Sequence, residues 1–164
     1  MKNTEIERKF LLDINNIPYD FSKLTKKSIE QGYIIYKPEI RVRSVSGEDY
    51  FMTIKGNTDD ATVRKELEFK ISQEAYSRLM ARDDIQKIQK DRYIVNEGNN
   101  KYEIDIFEGN LKGLACLEVE FPSKEEADKF VAPDWVVKEV TGDERYRNNS
   151  LARNNLPLEF TRRY

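Results

Sequence analysis

The chain of 164 residues is long enough for one domain with a buried core, and its 28 Lys+Arg nearly cancel its 30 Asp+Glu, for a formal net charge of −2. That balance excludes the basic excess of a general nucleic-acid or membrane-surface binder, and 9 Tyr, 8 Phe and 1 Trp exclude a disordered chain. No histidine is present, which removes Ser-His-Asp and Cys-His catalysis and His-ligated zinc together, leaving carboxylates, Lys, Arg, Tyr or an oxygen-ligated metal for any chemistry.

Eight segments read as strands. The first, TEIERKFLLD at 4–13, alternates Glu5, Glu7 and Lys9 with Ile6, Arg8 and Phe10. Segments 28–36, 39–46, 49–55 and 62–71 follow, then 85–95, 101–108 and 114–121, each alternating or rich in β-branched and aromatic residues. Turn signals at 46–49, 56–59, 97–100 and 108–110 favour antiparallel hairpins. Ser72 is placed to N-cap a helix over 73–82, and Ser123 with Glu126 forms a capping box ahead of Ala127, Phe130 and Val131. The stretch 141–164 reads as a C-terminal tail with a short helix near 143–153, within a single domain spanning 1–164. The single cysteine, Cys116, lies in the apolar LACLEVEF and reads as a buried structural thiol, since no histidine is available to activate it.

The strands share one property. Acid-x-acid or base-x-base pairs recur at i, i+2: Glu5/Glu7, Arg41/Arg43, Glu66/Glu68, Lys90/Arg92, Glu103/Asp105 and Glu118/Glu120, with Lys9 and Lys55 on the matching parity. A single such pair is a solvated face. Recurrence with complementary signs, opposite faces built for burial, predicts a sheet closed with its charges inward, an interior that about eight strands make wide enough for side chains or one small ligand. Facing charges there must pair or bind ions. A metal-bound polyphosphate suits both signs, since Arg and Lys grip phosphate oxygens while carboxylates hold Mg²⁺ or Mn²⁺.

TEIERKF also resembles the Glu-x-Glu-x-Lys signature of the CYTH domain, the triphosphate tunnel metalloenzymes. IRVRS, MTIKG, VRKELEF, IQKIQKDRY, YEIDIFEGNLKGL, LEVEF and VTGDERY agree with that family in order and chemistry, from about residue 4 to residue 154. The resemblance implies an α+β, mainly antiparallel fold: an eight-stranded closed β-barrel with a few helices packed outside. It implies Glu5, Glu7 and Glu120 as metal ligands, with Glu118 a further candidate, for one or two Mg²⁺ or Mn²⁺ ions. It implies Lys9, Arg41, Arg43, Lys55, Lys90 and Arg92 as phosphate contacts, and Glu66, Glu68, Glu103 and Asp105 as catalytic acids that place a second metal or orient water. Glu144 stands where relatives commonly carry a basic residue.

The activity so implied is metal-dependent hydrolysis of a triphosphate, foremost inorganic tripolyphosphate to pyrophosphate and phosphate. Alternatives are a nucleoside or thiamine triphosphatase, a class IV adenylate cyclase, or a non-catalytic polyphosphate- or nucleotide-binding module; the cyclases typically carry a His-Phe element that this chain lacks. With no signal-type run and no segment approaching ~20 apolar residues, a cytoplasmic protein without membrane or nucleic-acid partners is expected. An outward apolar strip leaves room for a homodimer.

Overall fold

A computed structural model of the chain describes residues 4–56 and 62–161. Nine antiparallel strands run in chain order: β1 (Thr4–Leu12), β2 (Thr25–Tyr36), β3 (Glu39–Val45), β4 (Asp49–Lys55), β5 (Val63–Lys70), β6 (Gln86–Glu97), β7 (Asn100–Phe107), β8 (Ala115–Glu120) and β9 (Val136–Glu139). The order across the sheet is β5-β4-β3-β2-β6-β7-β8-β1-β9, and an additional β5–β1 pairing closes the first eight strands into a barrel. The eight expected strands are therefore the eight staves. Of the turn expected at 56–59, residues 57–59 lie outside the described residues.

Register aims the charges. Lys9 lies opposite Glu118 and Glu7 opposite Glu120, Arg41 and Arg43 pair with Thr53 and Phe51, Lys55 with Glu66, and Arg92 with Asp105. Because side chains alternate across a strand, these pairings put every like-signed pair on the inner wall. The β6–β7 hairpin that fixes Arg92 against Asp105 turns through Gly98-Asn99, and Gly98 supplies the positive φ (58°) that such a tight loop needs.

The outer wall is clothed in sections. Helix α1 (Gln73–Met80), capped by Ser72 Oγ accepting from the Ala75 amide at 3.0 Å, lays Tyr76 and Met80 on Val42. Helix α2 (Lys124–Lys129) is capped by Ser123; together with residues 130–136 and the segment after β1, it covers Phe10, Val95, Ile104, Leu117 and Val119. Both helices are shorter than the sequence periodicity predicts: α1 stops at Met80, and Val131, beyond the end of α2, is 85% exposed. One outer row stays bare. Ile35, Ile40, Ile54 and Leu67 are register neighbours across β2, β3, β4 and β5, with Ile35 and Leu67 45% and 41% exposed; this is the apolar strip on which the expectation of a homodimer rests.

The interior is not charged throughout. At one end Leu11, Tyr33, Ile88, Phe107, Leu114 and Cys116 form an apolar plug with Val140, Tyr146, Leu151 and Phe160. The stretch 141–164, read from sequence as a tail, thus enters the core as far as it is described: α3 (Asn148–Asn154) buries Leu151 and α4 (Leu158–Thr161) brings Phe160 to the plug. Strand β9, absent from the sequence expectation, pairs with β1 over Phe10–Leu12, where β1 has already left β5. Lys9 sits in the gap between the two pairings, and Thr141 fills it, its Oγ1 accepting from the Lys9 amide at 2.9 Å. No helix among the described residues is long and apolar enough to cross a membrane.

Candidate active site

Beyond the plug the barrel encloses a cavity of about 370 Å³, lined by Glu5, Glu7, Glu66, Glu68, Glu103, Glu118 and Glu120 and by Arg41, Arg43, Lys55, Lys90 and Arg92, with the amides Gln31 and Asn148. All but two of the residues singled out from sequence converge there. Lys9 lines a smaller chamber behind it, of about 60 Å³, which shares Glu7, Arg41, Lys55, Glu118 and Asn148 with the main cavity and is roofed by residues 140–148. Asp105 does not line the cavity; on the inner face of β7 it is fully buried beneath Lys90 and Arg92.

Asp105 organises two of the cations. Its carboxylate accepts from Lys90 Nζ at 2.6 Å and from Arg92 Nε and Nη2 at 2.7 and 2.8 Å. Arg92 also reaches Glu118 at 3.1 Å and pairs with Glu103, so one guanidinium serves three acids from two adjacent strands. On the facing wall Lys55 holds Glu5 at 3.0 Å and Glu66 at 3.5 Å, while Glu68 accepts from Arg43 at 3.1 Å and from Thr53 Oγ1 at 3.0 Å. Lys9 Nζ donates to the Tyr146 carbonyl at 2.8 Å and lies 3.6 Å from Glu118. The strap carrying Tyr146 is tied down at its far side by Asn149 Nδ2 donating to Glu39 at 2.8 Å. Glu144 lies on the strap's exposed side, 3.7 Å from Arg147.

The pairing is uneven, and proton affinities record it. Burial pushes the Glu7 carboxyl up, neighbouring Glu118 and Glu5 push further, and Lys55 and Lys9 offset only part, leaving it at about 7. Burial acts on Glu5 in the same sense, but Lys55, a hydrogen bond with Glu66 and the Arg41 charge together outweigh it and hold that carboxyl at about 2. Glu118 and Asp105 are likewise buried and likewise held low, chiefly by Arg92. Burial raises Glu66, and its hydrogen bond to Glu5 adds to the rise. Burial also pushes the Cys116 thiol up to about 12, as suits an inert residue of the plug.

Two buried donors point the other way: Arg41 Nε and Arg43 Nε have no hydrogen-bond partner among the described residues. Unpaired guanidinium N–H groups in a wall are costly unless an anion takes them. Yet the lining carries seven carboxylates against five cations, so a polyanion entering alone meets a repulsive excess. The donor set is all oxygen and all hard, which fits Mg²⁺ or Mn²⁺ rather than a thiophilic metal. Among the described residues no three acidic groups converge into a ready-made metal cluster; Glu5 and Glu118 are instead turned to Lys55 and Arg92.

Sequence reasoning missed Gln31 and Asn148. Gln31 stands on β2 opposite Arg43 and donates to the Tyr33 hydroxyl at 2.9 Å; its parity with Ile29 and Tyr33, both interior, was the available signal. Asn148 offered none, because α3 faces the lumen only through the way it packs on the barrel end.

The CYTH domain model matches residues 3–153. The chain is 35% identical over 153 residues to a Nitrosomonas europaea protein named inorganic triphosphatase, covering 91% of this chain and 97% of that one. It is 36% identical over 158 residues to an Acetivibrio thermocellus protein of the same name, covering 92% and 94%. A crystal structure of an inorganic triphosphatase superposes with a TM-score of 0.68 at 33% identity, over 93% of this chain and 99% of that one. With the family matched from the first strand through α3, and the charged lumen built where its signature residues stand, this chain belongs to the CYTH domain family.

Proposed function

We propose that this protein hydrolyses inorganic tripolyphosphate to pyrophosphate and orthophosphate with the help of a divalent cation, Mg²⁺ or Mn²⁺. The observation that carries the reading is the lumen itself, where cations of β3, β4 and β6 face carboxylates of β1, β5 and β8 and two buried guanidinium donors are unspent. The names of the relatives from Nitrosomonas europaea and Acetivibrio thermocellus agree with it. An inorganic substrate is favoured over a nucleoside or thiamine triphosphate because no aromatic ring lines the lumen among the described residues, so a base or heterocycle would find nothing to stack on.

Arg41, Arg43, Lys55, Lys90 and Arg92 hold the phosphates, and Lys9 meets the end of the chain that reaches the rear chamber. Glu5, Glu7 and Glu120, with Glu118 beside them, are the ligands a cation would use; bound there, it offsets the acid excess and the charge that builds on the phosphate oxygens. Glu66 and Glu68 hold and orient the attacking water, whose oxygen bonds the terminal phosphorus as the bridging oxygen departs with pyrophosphate. Asp105 keeps Lys90 and Arg92 aimed. No covalent intermediate is required.

The test is phosphate release from tripolyphosphate, nucleoside triphosphates and thiamine triphosphate, each with Mg²⁺, Mn²⁺ and chelator. Tripolyphosphate with a divalent ion is expected to be the best substrate, and Glu7→Gln and Glu120→Gln to lower kcat by at least ~100-fold. A Glu5/Glu7/Glu120 triple alanine variant that still cleaves tripolyphosphate would sink the assignment, and saturable binding without phosphate release would make the chain a binding module.

A further inference from the structure

Arg41 is held from two sides by groups that take no part in the reaction above. On β3, Glu39 precedes it by two residues on the same inward face, is buried, and lies 3.8 Å from its Nη1. On β2, Tyr33 is its direct cross-strand neighbour. The Tyr33 hydroxyl oxygen accepts from the Arg41 guanidinium and, at 2.9 Å, from Gln31 Nε2. Neither Glu39 nor Tyr33 lines the main lumen. Both holds trace back to α3. Asn149 Nδ2 donates to Glu39 at 2.8 Å, while the Tyr33 ring stacks on Tyr36, centroids 5.6 Å apart, and the Arg153 guanidinium sits 4.3 Å from the Tyr36 centroid. Three residues apart, Tyr33 and Tyr36 would face opposite sides of a regular strand; the register shift between Tyr33 and Ile35 brings them together. Asn149 and Arg153, four apart, share one face of α3.

The holds matter because Arg41 has competitors for its charge. Glu5 and Glu66 also attract it, and a guanidinium turned to either acid would tie up a group that the cation or the water uses. It would also withdraw from the phosphates the Nε–H that now has no partner among the described residues. We propose that Glu39 and Tyr33 are positioning residues that keep Arg41 aimed at the phosphates, with α3 as the common support of both. The inference rests on the triphosphatase reading above. Glu39 acts by charge and Tyr33 by a hydroxyl oxygen placed through a ring stack, so each can be removed without disturbing the other. Both act only through Arg41.

Two near-isosteric substitutions separate positioning from packing: Glu39→Gln keeps an oxygen for Asn149, and Tyr33→Phe keeps the ring stack. Steady-state hydrolysis of tripolyphosphate with Mg²⁺ is compared for the wild-type chain, each single variant, Arg41→Ala, and each variant combined with Arg41→Ala, with a thermal melt for every protein. Each single variant is expected to lower kcat/KM roughly tenfold, the scale of one well-aimed charge-assisted hydrogen bond. On the Arg41→Ala background the same substitutions should cost no more than about twofold further, because the group they aim is gone. Losses that multiply on that background overturn the inference, since they would place the effect elsewhere in the barrel, and so does wild-type kcat/KM in both single variants. If one variant melts below the assay temperature, the other decides. A wild-type chain that fails on tripolyphosphate removes the triphosphatase reading and this inference with it, whereas an active wild type with unaffected variants removes this inference alone.

Discussion

Glu7 shows how neighbours assign different tasks to chemically identical residues. It and Glu5 are two positions apart on one strand, yet Lys55 lies within 3.0 Å of Glu5 while Glu7 faces Glu120 across β8 and feels Glu118. One stays ionised well into acid; the other holds its proton to about pH 7. A carboxyl whose folded value is raised costs stability as pH climbs from the ordinary range through that value, because the folded state binds the proton more tightly than the unfolded chain. A cation held by Glu7, as proposed above, would displace the same proton. Without divalent ions, the melting temperature should fall between about pH 4.5 and about pH 7, and the increment added by Mg²⁺ should grow over that window. Calorimetry across the window checks both, and Glu7→Gln should flatten the metal-free profile. The inward parity of Glu7 was legible from i, i+2 spacing alone. Its proton affinity was not, because that depends on which cation each acid meets across the barrel.

Among the elements, α3 and the strap before it matter more to the site than their sequence advertises. Leu151 is fully buried in the plug, and the strap's Tyr146 carbonyl positions Lys9. Truncating Leu151 to alanine should cost about 2–5 kcal/mol, as for other filled core positions, and equilibrium denaturation measures it. Because the plug backs the chamber that holds Lys9, activity should fall more than the population of unfolded chains accounts for. Strand β9 is short, and only its alternation Val136-Val137-Lys138-Glu139 hinted at it; what makes it a strand is the edge that β1 exposes on leaving β5. The outward Arg8 belongs to the same joint. Its guanidinium grips Glu139 at 2.7 Å and the Ala127 and Phe130 carbonyls at 2.9 and 2.7 Å, fastening α2 and β9 to β1.

For the whole molecule, the barrel is closed by a seam and a stopper. Only Thr4–Ile6 of β1 pair with β5, so the wall beyond depends on β9, Thr141 and the plug. A chain ending at Glu139 should lose cooperative unfolding and bind a hydrophobic dye, since Leu11, Tyr33, Phe107 and Leu114 would lose Tyr146, Leu151 and Phe160; a sharp two-state melt from that fragment would show that the stopper is dispensable. The sequence by itself determined the eight staves, their antiparallel hairpins and the inward charge, because a period of two fixes which side chains share a face regardless of what surrounds them. Only the tertiary structure decided that the lumen is stoppered at one end, that Asp105 is covered by Lys90 and Arg92 and so does not line the cavity, and that Lys9 answers to the strap. Those facts follow from which strands meet when the sheet closes and from what packs on its open end, and no local spacing encodes either.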